Sequence, residues 1–504
     1  MTNLSNEEKL KLLAAKPTYA MRCHEIAGDP RENNESVNDY RNIFMSDRDR
    51  ILYCKSFLRL AGKTQVYAPS MSDHQRTRLT HTLEVSQIAR TISSALGLDC
   101  DLTEAIALGH DIGHTPFGHA GERMLHEIMS PCKKANSLTC KHTTIYKLSE
   151  DSKEADKYRA LYGFKHNLQS VRCIVEDLDS KSIKWGLDLT NYTLWGIMNH
   201  SSFDYKAGKV ETEYISPMFY RDYMKFWSKA DASPAWSFEA FVVAEADEIA
   251  QMHHDLEDAI RGHAMPESKV IILLSKLKDL MDKNDKNTLS ELEKDWVSRE
   301  YLIANTSKII VNTLVSTLIR STKDSLLYLI DKYGKENDSS IDVSDVFLKG
   351  NRDPEISRAI SYDCINKDDT SAEKLINDFK EELSKTVLYT YNVQRSDSKG
   401  KYIIKNLFEA YYTNPQQLPD SALKNLYKAL QEKHYKFTVE KPYYKIDSDE
   451  LRREIAIAVT EIRKNIDAKQ EMLDRDILIM RIICDHIAGM TDSFAISEYE
   501  KLYG

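Results

Sequence analysis

His110 and Asp111 stand side by side at the end of an apolar run, and His119 and Glu122 follow them within LGHDIGHTPFGHAGE. A further histidine, His81, lies upstream in RTRLTH, and an aspartate, Asp247, lies far downstream in EADEIA. His81, His110, Asp111 and Asp247 together offer a mixed imidazole and carboxylate shell, which suits a divalent ion of intermediate hardness. His119 and Glu122 are three residues apart, so on a helix they share a face. A carboxylate beside an imidazole raises its basicity and fixes its tautomer, equipping the pair to move protons at a phosphate ester near neutral pH. The chemistry this points to is metal-dependent hydrolysis of a phosphate ester.

Taken singly, each residue has a plainer reading. A lone histidine on an apolar helix usually packs or faces water, and Glu122 near a helix start would meet the dipole. Convergence favours the sharper reading: eight of the 15 histidines lie between positions 81 and 200, and four of those fall between 110 and 126. Arg76 and Arg78, just before His81, offer planar guanidinium forks for phosphate oxygens, or else form a solvated cluster. Lys63 is a second candidate cation, and the net charge of −9 means that an anion must be met by such local groups. His114, one turn from the His110–Asp111 pair, would touch a phosphate oxygen or simply pack. His166, in GFKHN, is a further candidate. Gln251 and Asp255 follow Asp247 at i+4 and i+8, on the same helix face, where they would bind a sugar hydroxyl. The bland alternative there is an ordinary wet face, which HHDLED also describes.

The pattern around these residues predicts helices. In THTLEVSQIARTISSAL, Leu83, Val85, Ile88, Ile92 and Leu96 fall at mostly three- and four-residue spacing, predicting one buried face. Asp101, three before Glu104, reads as a capping-box-like start for LTEAIALGHD, the helix that delivers His110 and Asp111. GHTPFGHAGE is broken by Gly and Pro and reads as a loop running into another helix. His110 and Asp111 are about 100° apart on a helix, so they can flank one ion only at an edge facing a cleft. His81 and Asp247 must then arrive from two other helices.

A chain of 504 residues with 17 Gly and 12 Pro is expected to be mainly α, with at most a minor β-hairpin near YKFTVEKP. The expected division is an N-terminal arm at 1–45, made of a short helix and a loose tail; a catalytic core at 46–267 with an insertion at 131–162; and a C-terminal helical region at 268–504 packed on that core. No run of about 18 consecutive apolar residues suggests a membrane span, and the first residues do not resemble a secretory signal. Cytoplasmic residence without a membrane partner is the resulting expectation. The eight cysteines form no CxxC pair, and Cys132, Cys140 and His142 lack the close ligand pairs of a structural zinc site. No GxxxxGK[ST] loop is present.

The ordered set His81, His110–Asp111, Asp247 resembles that of the HD-domain metal phosphohydrolases. More narrowly, the chain resembles the deoxyguanosine triphosphate triphosphohydrolase family through SDRDRILYCKSFLRLAGKTQVY, RTRLTHTLEVSQIAR, ALGHDIGHTPFGHAGE, FKHNLQSVR, ADEIAQMHHDLEDA, KNLFEAYYTNPQQLP and ICDHIAGMTDSFA. The resemblance implies hydrolysis of a dNTP, dGTP foremost, to the deoxynucleoside and inorganic triphosphate by water attack at the α-phosphorus. It implies His81, His110, Asp111 and Asp247 as metal ligands, and His119 and Glu122 as the catalytic pair with His166 beside the phosphates. Arg78 would hold the α-phosphate, and Gln65, with help from Asp255, the deoxyribose 3′-hydroxyl. One divalent ion per site is implied, Mg, Mn or another transition metal, with a second Mg on the triphosphate admitted. A homo-oligomer, a hexamer foremost, is implied; a dNTP activator and a single-stranded DNA partner stay open. The pattern departs at Leu58–Arg59, where the family carries two arginines, and at Gln251, where it carries a tyrosine. One fewer outer contact and looser sugar discrimination follow. Two rivals remain: an HD-type phosphodiesterase or nucleotidase, and a catalytically silent nucleotide- or single-strand-binding regulator.

Overall fold

The computed structural model describes residues 4–26, 40–64, 76–129, 163–175, 186–201, 236–262, 265–294, 298–334, 354–366, 371–388, 390–439, 441–465 and 470–504. Among them the chain is mainly α-helical, and its only β pairing is two isolated bridges, Arg22 with Thr190 and Thr64 with Thr77. The helices used below are α1 (Ile43–Leu52), α2 (Arg78–Leu96), α3 (Cys100–Gly109), α4 (Gly118–Met129), α5 (His166–Val175), α6 (Asn191–Asn199) and α7 (Phe238–Arg261). They are followed by α8 (Arg299–Tyr333), α9 (Ser371–Leu388), α10 (Tyr391–Thr413), α11 (Asp420–Glu432), α12 (Ser448–Lys464), α13 (Gln470–Ala488) and α14 (Asp492–Tyr503). The insertion at 131–162, with Cys132, Cys140 and His142, lies outside the described residues, as does Gln65.

Two apolar cores organise these helices. The first takes Val85, Ile88, Ile92 and Leu96 of α2, Leu102 and Ile106 of α3, Ile197 of α6, Val242, Ala246 and Ile249 of α7, and Leu314 and Leu318 of α8. The second takes Met124, Leu125 and Ile128 of α4, Leu407 and Tyr411 of α10, Leu423 and Leu426 of α11, Ile455 of α12 and Ile483 of α13. By length and composition α8 could cross a membrane, but half of its apolar window is buried, and it packs against α7 and α2.

Several local expectations need correcting. Leu83 is 51% exposed, because a step of two from Leu83 to Val85 rotates by about 200° and cannot stay on one face. The start of α3 is set by Asp99 rather than Asp101: its carboxylate accepts from the Asp101 and Leu102 amides, while Asp101 binds Asn42 and Glu104 pairs with Arg48 and Arg90. The short N-terminal helix spans Asn6–Leu10, and the described chain after it, as far as Ile26, is anchored; the rest of the expected loose tail lies outside the described residues. Leu13 and Cys23 are buried, and Arg22 reaches Asp47 on α1 at 3.0 Å. No hairpin forms at Tyr435–Val439. Glu454 takes the Thr438 amide and hydroxyl, Val439 O accepts from Tyr427, and Phe437 stacks on Tyr427, so side chains replace the strand partner.

The loop from α3 to α4 is pinned by close approach. Gly113 donates to Ser170 Oγ at 2.9 Å, and Ser170 in turn donates to the His110 and His166 carbonyls. A Cβ on Gly113 would lie 2.1 Å from Ser170 N and 2.4 Å from Gln169 C, backbone atoms that cannot swing aside. Gly113→Ala should therefore destabilise the protein by about 1–3 kcal/mol, the usual cost of overpacking, as a lower urea midpoint with unchanged m.

Candidate active site

His81 lies in the first turn of α2, His110 caps the C-terminus of α3 with Asp111 just beyond, and Asp247 sits within α7. Three helices thus meet at one point, as the spacing argument requires. His81 Nε2 is 2.9 Å from Asp247 Oδ1. His110 Nε2 lies 3.8 Å from that same oxygen and 3.8 Å from Asp111 Oδ2. His81, His110 and Asp247 have ligand-type atoms within 4.8 Å of one another, and so do His110, Asp111 and His200.

A divalent ion fits this arrangement. His110 Nδ1 is 2.6 Å from the Ala107 carbonyl, which can only accept, so Nδ1 carries the proton and Nε2 a lone pair. That Nε2 is buried and has no hydrogen-bond partner among the described residues. A cation would satisfy this lone pair and the carboxylate oxygens around it together. Burial pushes the Asp111 carboxyl up, but Arg78, then His110 and His114, outweigh it and hold the group well below the usual carboxylate range. Asp247 is likewise held low against its burial, by His81 at 2.9 Å and the charge of His110.

Arg78 is 2% exposed and spends one guanidinium nitrogen, Nη1, on Asp111. Its Nε and Nη2 are buried without partners among the described residues, so two donors beside the cluster stand ready for an oxyanion. Arg76, expected alongside, is instead committed to Glu257 at 2.6 Å and lies 3.6 Å from Glu84. Lys63 is not a candidate cation for an anion either. Its ammonium is buried against the His114 and Ala488 carbonyls, and burial, with Arg59 next, brings its pKa down to about 7.

Glu122 is the hub of the second constellation. Its Oε2 is 3.2 Å from Nδ1 of His119, whose side chain is 56% exposed, and its Oε1 is 2.9 Å from His166 Nδ1 and takes the His166 amide. Burial pushes this carboxyl up, but His166, the bonds from His119 and His166, and Lys165 carry it well below the usual range. His114 stacks on His166 with ring centroids 4.6 Å apart, and burial and Arg78 keep it neutral at neutral pH. Gln251 and Asp255 face one another, the amide donating to the carboxylate at 2.7 Å. Burial, then Asp258, raises Asp255 to about 7.

Three participants escaped the sequence reading. His200 caps α6 as His110 caps α3: its Nδ1 is 2.7 Å from the Ile197 carbonyl, and its Nε2 lies 3.3 Å from that of His166. A histidine closing an apolar helix was the available signal in both cases. His254 and Glu84 lie behind His81, and the HHDLED stretch is not a wet face at its start, since His253 and His254 are buried.

The HD domain family matches residues 78–173, and a phosphohydrolase-associated domain matches 369–437 and 454–501. A deoxyguanosinetriphosphate triphosphohydrolase-like protein of Rickettsia conorii is 30% identical over 492 residues, covering 94% of this chain and 96% of that protein. One from Caldanaerobacter subterraneus subsp. tengcongensis is 29% identical over 500 residues, covering 99% and 95%. One from Clostridium tetani reaches 37% identity over 265 residues, covering 53% and 59%. With His81, His110, Asp111 and Glu122 within the matched HD segment and Asp247 brought to them from beyond it, the chain belongs to the deoxyguanosinetriphosphate triphosphohydrolase-like family of HD-domain phosphohydrolases.

Proposed function

We propose that this chain hydrolyses deoxynucleoside triphosphates, dGTP foremost, to the deoxynucleoside and inorganic triphosphate. The observation that carries the reading is Arg78, buried with two nitrogens unpaired among the described residues, beside a cluster fit for a divalent ion. His81, His110, Asp111 and Asp247 would hold that ion, Mg, Mn or another transition metal. When bound, it polarises the phosphate and lowers the pKa of water. Arg78 offers its free fork to the α-phosphate oxygens. Water attacks the α-phosphorus, the bond to the 5′-oxygen breaks, and that alkoxide, a poor leaving group, needs a proton. His119 supplies it, because Glu122 engages Nδ1, which stabilises the imidazolium and leaves Nε2 to donate. His166, held by the same carboxylate, and His114 line the phosphates. Asp255 and Gln251 meet the sugar together with Gln65. Likeness to the family supports a homo-oligomer in the cytoplasm.

The test is product identification with each of the four dNTPs, alone and in pairs, with Mg²⁺ or Mn²⁺. Tripolyphosphate with free deoxynucleoside is the expected result. Orthophosphate or pyrophosphate alone would make the chain a phosphodiesterase or nucleotidase, and no turnover under any pairing would make it a binding regulator.

A further inference from the structure

We infer that Glu84 and His254 form an ordered hydrogen-bond chain that holds His81 in the tautomer able to bind a cation through Nε2. This rests on the reading of His81 as a metal ligand. His81 Nε2 faces Asp247, while its Nδ1 lies 3.3 Å from Nδ1 of His254, the two rings meeting edge to face. Two facing ring nitrogens attract only if one of them carries the proton, and the outer end of the chain decides which.

His254 Nε2 bonds Oε2 of Glu84, an oxygen that also receives His253 Nε2 at 3.0 Å. Arg76 Nε stands 3.6 Å from the other oxygen. Surrounded by these donors, Glu84 is a carboxylate and can only accept, so His254 carries its proton on Nε2. Neutral His254 then presents a lone pair at Nδ1, and His81 must donate from its own Nδ1. The lone pair of His81 is thereby left on Nε2, 2.9 Å from Asp247 Oδ1, where two acceptors can meet only as ligands of one cation. Polarity runs from the ligand outward to a half-buried glutamate, one imidazole longer than a direct carboxylate–histidine pair.

The same residues have a rival use. Glu84, His253 and His254 have ligand atoms within 4.8 Å of one another and resemble a second cation site. A cation there would need the lone pair of His254 at Nε2, which puts the proton on Nδ1 and reverses the chain. His81 would then carry its proton on Nε2 and be lost as a ligand. The two uses exclude each other, and an experiment can tell them apart.

The test is Co²⁺ titration followed by absorbance, together with ¹⁵N shifts of the His81 ring in histidine-labelled protein. Wild-type protein should bind one Co²⁺ per chain, with His81 Nδ1 protonated. His254→Phe keeps the ring volume but removes the acceptor, and should weaken Co²⁺ binding about 10–100-fold, the usual loss on deleting such a supporting partner. His254→Gln, with an amide oxygen in place of Nδ1, should restore most of that loss. If His254→Phe does not fold, Glu84→Gln at a half-buried position carries the test, expected to weaken binding and to shift the His81 Nδ1 resonance. Asp247→Ala serves as the control on the ligand set. Normal Co²⁺ binding by Asp247→Ala would remove the ligand reading itself. Normal binding by His254→Phe or Glu84→Gln, with Asp247→Ala deficient, would overturn the chain alone. A second Co²⁺ in wild type that disappears in His253→Ala would also overturn it, in favour of the rival site.

Discussion

An Asp111→Ala variant is expected to lose both its divalent ion and its turnover, and to be less stable by about 3–5 kcal/mol, the cost of stranding one member of a buried ion pair. Asp111 and Arg78 are both almost fully buried and directly bonded, so removing the carboxylate leaves a guanidinium with no counter-charge. The two losses have separate causes and can be separated. In the double variant Arg78→Met with Asp111→Ala, the stranded charge is gone, and most of the stability should return in urea denaturation. Metal content and activity should stay absent. If the double variant is as unstable as Asp111→Ala, then Arg78 is not the source of the penalty. If Asp111→Ala retains its metal, the carboxylate is not a ligand.

Glu122→Gln should behave in the opposite way: ion retained, kcat lowered about 10²–10⁴-fold, the range attributed to a positioned acid or base. A carboxamide can still accept one bond, but it cannot stabilise an imidazolium at His119 while holding His166. The pH dependence of folding gives an independent check. Glu122 is depressed in the folded protein from an ordinary value of 4.5, so its contribution is complete above that value and drains away as pH falls through the lower folded value. Wild-type stability should therefore fall more steeply below pH 4.5 than that of Glu122→Gln. Parallel acid-unfolding curves would show that the carboxylate is not favoured in its ionised form by the fold.

What could be read from the sequence was local chemistry and helical period. The pairs His110–Asp111 and His119–Glu122 are close in sequence, so their spacing carries geometric information, and the structure brings His81 and Asp247 to the first of them. Gly113 and the broken GHTPFGHAGE segment also announced a loop. What could not be read depends on tertiary burial. Lys63 and Arg76 look like phosphate cations in a linear chain, yet one is consumed by two carbonyls and the other by two glutamates. His200, His254 and Glu84 gave only weak local signals, because their importance comes from facing residues 34, 173 and 170 positions away. Whether the YKFTVEKP segment pairs as a hairpin was open for the same reason, since Glu454, outside that segment, supplies the partner atoms.

The IAGMTD segment found another use, as a clasp. Asp492 at the head of α14 accepts the Phe117 amide at 3.0 Å and the Thr64 amide at 3.2 Å, and the Ala488 carbonyl takes Lys63 at 2.9 Å. Phe117, with φ of 60°, is held in a conformation that a phenylalanine does not choose unaided. The loop leading to His119 thus takes its shape from residues the ribosome adds hundreds of codons later. A nascent chain that has already folded the helices carrying His81, His110 and Asp247 would still lack the fixed loop before His119, and the proposed site would be complete only once synthesis has passed position 492.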